Sequence, residues 1–278
     1  MELIPSLPMI LEFTKMNGAG NDFVLIDNRE GKIRLNAGQI TRLCDRHRGV
    51  GADGVILLTK CVSQKADWAW DFYNSDGSAA DMCGNGARCF ARFVQRLTGA
   101  KKSLTFETRA GVINAVFQKD RVSIGLTPPK DLRLKDKIKV AGQYLVVNSL
   151  NTGVPHCVVF VPEILDQIPV EEWGPEIRFH KHYAPKGANV NFAQIEGRGT
   201  IRVRTYERGV EGETLACGTG VTASALVASE LCHFPSPIKV RVKSGDTLEV
   251  SFEKVGGQFA NVRLTGPADF VFDGKMIM

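Results

Sequence analysis

A cysteine followed by Gly-polar-Gly, and then by a run of helical spacing, occurs twice in this chain. Cys83-Gly84-Asn85-Gly86 leads into Ala87 to Leu97, and Cys217-Gly218-Thr219-Gly220 leads into Val221 to Leu231. The stretches flanking each copy are short and alternating, punctuated by Gly, Asn and Pro, which is the pattern of strands and turns. Each half is therefore mostly β, with one prominent helix that its strands must wrap. The class is α/β, of the α+β kind: two pseudo-symmetric domains, each a curved, mostly antiparallel sheet or barrel around a central helix.

In the first half, a strand, a Gly- and Asn-rich turn over Met16 to Asp22 and a second strand fill Leu11 to Asp27. A helix is expected over Gln39 to His47, with strands at Val55 to Thr59, Trp68 to Asn74, Leu104 to Thr108, Val112 to Gln118 and Arg121 to Leu126. Pro128-Pro129 stops the last of these and marks a boundary, which gives domains at 1–128 and 129–268 with the tail 269–278 returning to the first. The second half repeats the plan, with strands at Gln143 to Asn148, Cys157 to Val161, Asn189 to Ile195 and Thr200 to Thr205 before its helix. Strands at Ile238 to Lys243, Thr247 to Phe252 and Gln258 to Thr265 follow it.

The length of 278 residues suits two domains of ordinary size. Net charge is +5, from 35 basic and 30 acidic residues, too small an excess to mark a nucleic-acid surface. No apolar run is long enough for a membrane span, and Met1 to Ile10 lacks the basic start and small-residue cleavage pattern of a signal peptide. Seven cysteines, an odd number in a chain with no need of staples, place it in a reducing cytoplasm.

Each cysteine of the repeat stands where a helix begins. There the unpaired N–H groups and the dipole lower a thiol pKa and attract carboxylates. Cys44, Cys61, Cys89, Cys157 and Cys232 read instead as small buried apolar residues. Zinc would need tight spacings such as Cys-x2-Cys, which are missing, so no metal is expected. A cysteine hydrolase with His156 as base would leave Cys217 unexplained. Two thiols on opposite faces of a carbon acid suit proton removal by one and return by the other, which inverts the carbon. A non-catalytic amino-acid-binding protein of the same fold is the alternative from another class.

Asn74-Ser75-Asp76-Gly77-Ser78, followed after four residues by Cys83-Gly84-Asn85-Gly86-Ala87-Arg88, resembles the signature of the diaminopimelate epimerase family. So do Lys15 to Phe23, Gly153-Val154-Pro155-His156, Gly187 to Phe192 and Tyr206 to Gly220, and together these span nearly the whole chain. The resemblance implies an isomerase that works without pyridoxal phosphate or any other cofactor. Its substrate would be diaminopimelate, on the way to lysine and peptidoglycan, and the family admits a homodimer. It makes Cys83 and Cys217 the acid/base pair, with His156 and Glu207 supporting them. Gly84, Asn85, Gly218 and Thr219 would hold the carboxylate at the reacting centre. Asn21, Asn74, Asn189 and Arg208 would grip the rest of the substrate, and Glu207 would face its ammonium. Val154 stands where the family often has Asn, which leaves a related amino-acid racemase as the second reading and Asn151 or Thr152 as substitutes for the missing amide.

Overall fold

A computed structural model describes residues 9–162 and 164–278. The part of the amino-terminal stretch that bears on a leader, residues 1–8, lies outside the described residues. In chain order the elements are β1 (Ile10–Gly18), β2 (Asn21–Asp27), α1 (Ala37–Cys44), β3 (Gly54–Thr59), β4 (Trp68–Asn74), α2 (Gly84–Thr98) and β5 (Ser103–Thr108). Then come β6 (Gly111–Gln118), β7 (Arg121–Gly125), β8 (Lys130–Val140), β9 (Gln143–Asn151), β10 (Pro155–Phe160), α3 (Val170–Arg178), β11 (Asn189–Gly197) and β12 (Thr200–Glu207). The chain ends with β13 (Gly212–Thr214), α4 (Gly218–Cys232), β14 (Ile238–Arg241), β15 (Thr247–Val255), β16 (Gln258–Pro267) and β17 (Asp269–Ile277). Two compact units result, Met1–Asn114 with Ala268–Met278, and Ala115–Pro267. Pro128-Pro129 falls inside the second.

In the first unit β17 and β1 pair antiparallel, β1 and β2 antiparallel, β2 and β3 parallel, β3 and β4 antiparallel, and β4 and β5 parallel. The second unit runs through the same pairings: β8 with β9 and β9 with β10 antiparallel, β10 with β11 parallel, β11 with β12 antiparallel, β12 with β14 parallel. Each parallel step needs a crossover, and the helices supply them: α1 and α3 in the first crossovers, α2 and α4 in the second. The internal repeat in sequence is thus a repeat of topology, and β17 beside β1 takes the place that β8 has beside β9.

Strand alternation assigns each crossover helix a face. Val24 and Ile26 of β2, with Val55 and Leu57 of β3, pack with Ile40 and Leu43 of α1. Their neighbours Phe23 and Ile56 lie against α2, where a Cβ on Gly86 would stand 3.4 Å and 3.2 Å from them. Phe90 of α2 completes an aromatic cluster with Trp70 and Phe106. Burying each such ring contributes roughly 1.5–3 kcal/mol. Gly18 permits the close approach, since a Cβ there would lie 2.8 Å from the Asn85 carbonyl. The helix ends at Gly99, whose φ of 73° is the left-handed cap that glycine adopts without penalty.

Unlike α2, α4 is buried almost all round, from Gly220 to Ser229. Its small side chains allow this, and Thr222 and Ser224 return their hydroxyls to the carbonyls four residues back. Four further elements escape the sequence pattern, among them β13, whose three residues are too few to show one. α3 holds Gly174 and Pro175 inside nine residues, which hides its helical spacing. β8 carries lysines and buries only Ile138 and Val140, the dress of a strand that guards a sheet edge. In β17 most residues are exposed, so no alternation shows. The helix expected over Gln39 to His47 starts instead at Ala37, capped by Asn36 in a reciprocal bond pair with Gln39, and ends at Cys44.

Candidate active site

Cys83 caps α2 and Cys217 caps α4, both with extended backbone, and each carbonyl receives the first helical hydrogen bond, from Ala87 N and Val221 N at 2.8 Å. Neither side chain makes the cap hydrogen bond, and Cys217 Sγ stands 3.5 Å from the Thr219 hydroxyl. Cys83 is half-buried and Cys217 buried. The first N–H groups of any α-helix have no acceptor within the helix, so Gly84-Asn85 and Gly218-Thr219 stand at anion-binding positions.

Around Cys83 the first unit places Asn21, Asn85 and Arg88 in one hydrogen-bonded chain. Asp53 Oδ2 accepts from Asn21 Nδ2 at 2.9 Å, Asn21 Oδ1 accepts from Asn85 Nδ2 at 2.6 Å, and Asn85 Oδ1 accepts from Arg88 Nη2 at 2.9 Å. Arg88 is fully buried and also donates to the Gly84 and Gly18 carbonyls. Asp22, next to Asn21, is held by Lys15 at 2.7 Å and Arg46 at 2.9 Å. Burial works to raise its carboxyl, but those two cations outweigh it and keep it below the ordinary range. Asn74 lies exposed at the end of β4, its amide 3.0 Å from the Ser78 hydroxyl.

In the second unit one sheet face carries His156, Asn189, Asn191, Thr205 and Glu207. Their neighbours Cys157, Val190, Phe192 and Tyr206 turn to the core shared with α3. Asn189 braces the face: its Oδ1 accepts from Arg208 N at 2.8 Å and its Nδ2 donates to the Pro155 carbonyl at 3.3 Å. Burial raises the Glu207 carboxyl, against a smaller opposing effect of the Thr214 hydroxyl. The Arg208 guanidinium has a long contact to the Lys186 carbonyl. Thr152 donates to the Thr219 carbonyl at 3.0 Å, so its hydroxyl holds the α4 entrance. Asn151 accepts from Gly153 N.

His156 is buried, and burial, reinforced by the Arg208 charge, lowers its pKa to about 3. The folded ring therefore stays neutral where the unfolded one, near 6.5, takes a proton. Its contribution to stability is complete above pH 6.5 and is lost as pH falls toward 3, at roughly 1 to 1.5 kcal/mol per pH unit. Chemical denaturation between pH 7 and 4 is expected to show a flatter loss of stability for His156→Gln than for the parent protein.

The remaining cysteines divide. Cys44, Cys89 and Cys157 are buried, with thiols pushed up to about 12 by desolvation, as suits packing residues. Cys61 corrects the expectation: it is half-buried and meets Glu107 Oε2 at 3.3 Å and Ser63 Oγ at 3.4 Å. Cys232 is likewise only half-buried. Sequence reading passed over Asn191, Asp53 and Arg88 as site residues. Asn191 is the one with a local signal, since a polar residue amid Val190, Phe192 and Ala193 on a central strand must have a partner.

Among solved structures, the fold is similar to that of a Bacillus anthracis phenazine biosynthesis protein of the PhzF family, at TM-score 0.72 and 15% identity, covering 97% of this chain and 100% of that one. It is also similar to a hydroxyproline epimerase from Agrobacterium vitis, at TM-score 0.67 and 15% identity, covering 97% and 93%. At such identities these likenesses define the class by fold: the α/β architecture shared by those two proteins. In sequence, the family model for diaminopimelate epimerase matches residues 13–130 and 148–271. The diaminopimelate epimerase of Hydrogenobaculum sp. (strain Y04AAS1) is 45% identical over 95% of this chain and 97% of its own length. That of Aquifex aeolicus is 43% identical over 96% and 98%. The chain belongs to the diaminopimelate epimerase family.

Proposed function

We infer that this chain is a diaminopimelate epimerase, an isomerase interconverting LL- and meso-2,6-diaminopimelate for lysine and peptidoglycan precursors. The observation that carries the chemistry is a cysteine at the entrance of each unit's second crossover helix. We propose Cys83 and Cys217 as the acid/base pair. One thiolate removes the α proton, the electron pair passes into the adjoining carboxylate, and the other thiol delivers its proton to the opposite face. The two thiols leave with their protonation exchanged. Donors at Gly84, Asn85, Gly218 and Thr219 stabilise the charge that builds on that carboxylate. His156 and Glu207 support the thiols, while Asn21, Asn74, Asn189 and Arg208 hold the rest of the substrate. Incubating LL-diaminopimelate with the protein in deuterated water tests this. Meso product carrying α-deuterium is expected; binding without exchange would mark a binding protein, and exchange confined to other amino acids a different racemase.

Arg208→Lys keeps the charge but loses the fork that pairs with two carboxylate oxygens. A charge-assisted hydrogen bond contributes about 1.5–3 kcal/mol, so kcat/KM for diaminopimelate should fall by one to two orders of magnitude, with little change for a short amino acid that lacks the distal carboxylate. Equal losses on both substrates would move Arg208 to the reacting centre or the fold.

We propose also a homodimer and a cytoplasmic location. Among the described residues no helix is long and apolar enough to cross a membrane. Thiolate chemistry needs both cysteines reduced, which supports the cytoplasm. For the dimer, β17 exposes Phe270, Val271 and Phe272 in a row, with Ile277 and the neighbouring Ile10 each 62% exposed. Such an apolar strand at a sheet edge calls for a cover, and a second copy of the same edge is self-complementary. Sedimentation of the intact protein should give a dimer, and Phe272→Glu should shift it to monomer; a monomeric parent would remove the proposal.

A further inference from the structure

Asn191 and His156 together carry a statement about which atom of the histidine holds its proton. Asn191 is fully buried on β11, and pairing places Thr205 directly opposite it. Its amide orientation is settled by its partners. Nδ2 stands 3.0 Å from the Cys157 carbonyl, which can only accept, and Oδ1 receives the Thr205 hydroxyl at 3.0 Å. The other hydrogen of the same NH2 group faces His156 Nδ1 at 3.1 Å. An N–H donor needs a lone pair there, so a neutral ring must carry its proton on Nε2.

Nε2 is buried and has no acceptor among the described residues. The ring lies against the first turn of α4: a Cβ on Gly220 would sit 3.4 Å from Cε1, the carbon between the two ring nitrogens. That is the turn Cys217 caps. A buried donor left open beside a helix entrance points to an anionic acceptor that arrives there during the reaction.

We propose that Asn191 is a positioning residue that locks His156 as the Nε2–H tautomer, making it a standing hydrogen-bond donor to an anion at the α4 entrance and excluding it as a proton carrier. The anion is a thiolate or a carboxylate, that of Cys217 or that of the substrate. The proposal rests on the function inferred above only for the identity of that anion; burial and the Arg208 charge disfavour the imidazolium whatever the substrate.

Protein labelled with 15N-histidine, free of substrate, tests the tautomer by long-range proton–nitrogen correlation, with the His156 signals identified by their loss in His156→Gln. A pyridine-type Nδ1 and pyrrole-type Nε2, unchanged from pH 5 to 9, is the expected result. A proton on Nδ1, or a ring that titrates in that range, overturns the proposal. This readout stands even if diaminopimelate is not the substrate. Asn191→Asp, nearly the same in shape, replaces the donor by an acceptor and should move the proton to Nδ1, with kcat/KM down at least tenfold. The alkylation rate of Cys217 against pH, followed by mass spectrometry, then separates the two anions. A Cys217 pKa raised also in the uncharged Asn191→Leu, where no added carboxylate can account for it, identifies the thiolate, and an unchanged one with a higher KM identifies the substrate carboxylate. A variant with wild-type kcat, KM and alkylation profile would show that the tautomer has no part in the reaction.

Discussion

Serine in place of Cys83 or of Cys217 is expected to lower epimerisation by a hundred- to ten-thousand-fold, the range over which a positioned acid or base acts. A hydroxyl ionises far above a thiol, so the variant lacks a base on one face and a ready proton donor on the same face when the reaction runs backward. The two single variants should be about equally impaired in net turnover, because each direction needs both groups. Their hydrogen-exchange behaviour should differ: a variant keeping one thiolate can still exchange the α-hydrogen of the stereoisomer that presents it to that thiolate, without inverting the carbon. Chiral chromatography of product and mass analysis of recovered substrate read the two effects separately. Full turnover in either variant would end the two-thiol reading.

Gly220→Ala is the second change with a large expected effect, and its sign runs against propensity. Alanine inside a helix is ordinarily more favourable than glycine by about 1 kcal/mol. Here the new methyl would collide with Asn191 Oδ1, while it would only touch the His156 ring. Either α4's first turn shifts outward or the Asn191 amide turns away from Thr205 and His156. Overpacking of this kind costs about 1–3 kcal/mol, and a misplacement of the Cys217 turn by about 1 Å costs on the order of a hundredfold in rate. Thermal unfolding and steady-state kinetics check both. Adding Asn191→Ala should recover part of the stability by removing the colliding atom, while leaving activity low. A Gly220→Ala protein more stable and fully active would mean that the first turn of α4 is looser than its contacts imply.

The same two positions show why some of the site was legible and some was not. Cys217 and Gly220 stand in one local motif that occurs twice, and a cysteine at a helix start has chemical consequences that follow from backbone geometry alone. Asn191 is also visible as an odd polar residue in an apolar strand, but its task is not, because its partners come from β10 and β12. Arg88 is more extreme. On α2 an arginine reads as a solvated face, yet it is fully buried, bound to Asn85, Gly84 and Gly18. Asn74, Asn85 and Asn189 are one residue type with three situations: exposed at a strand end, linked into an amide chain, and spent bracing the backbone.

Local chemistry written in the sequence thus determined most of the strands, the two cysteine-capped helices, the family and the reaction class, since each depends on residues near one another along the chain. The tertiary structure alone decided that β17 pairs with β1, that the lysine-rich β8 forms a strand, and which nitrogen of His156 holds the proton. Those depend on register between strands far apart in sequence, where a shift of one residue would turn each side chain to the other face.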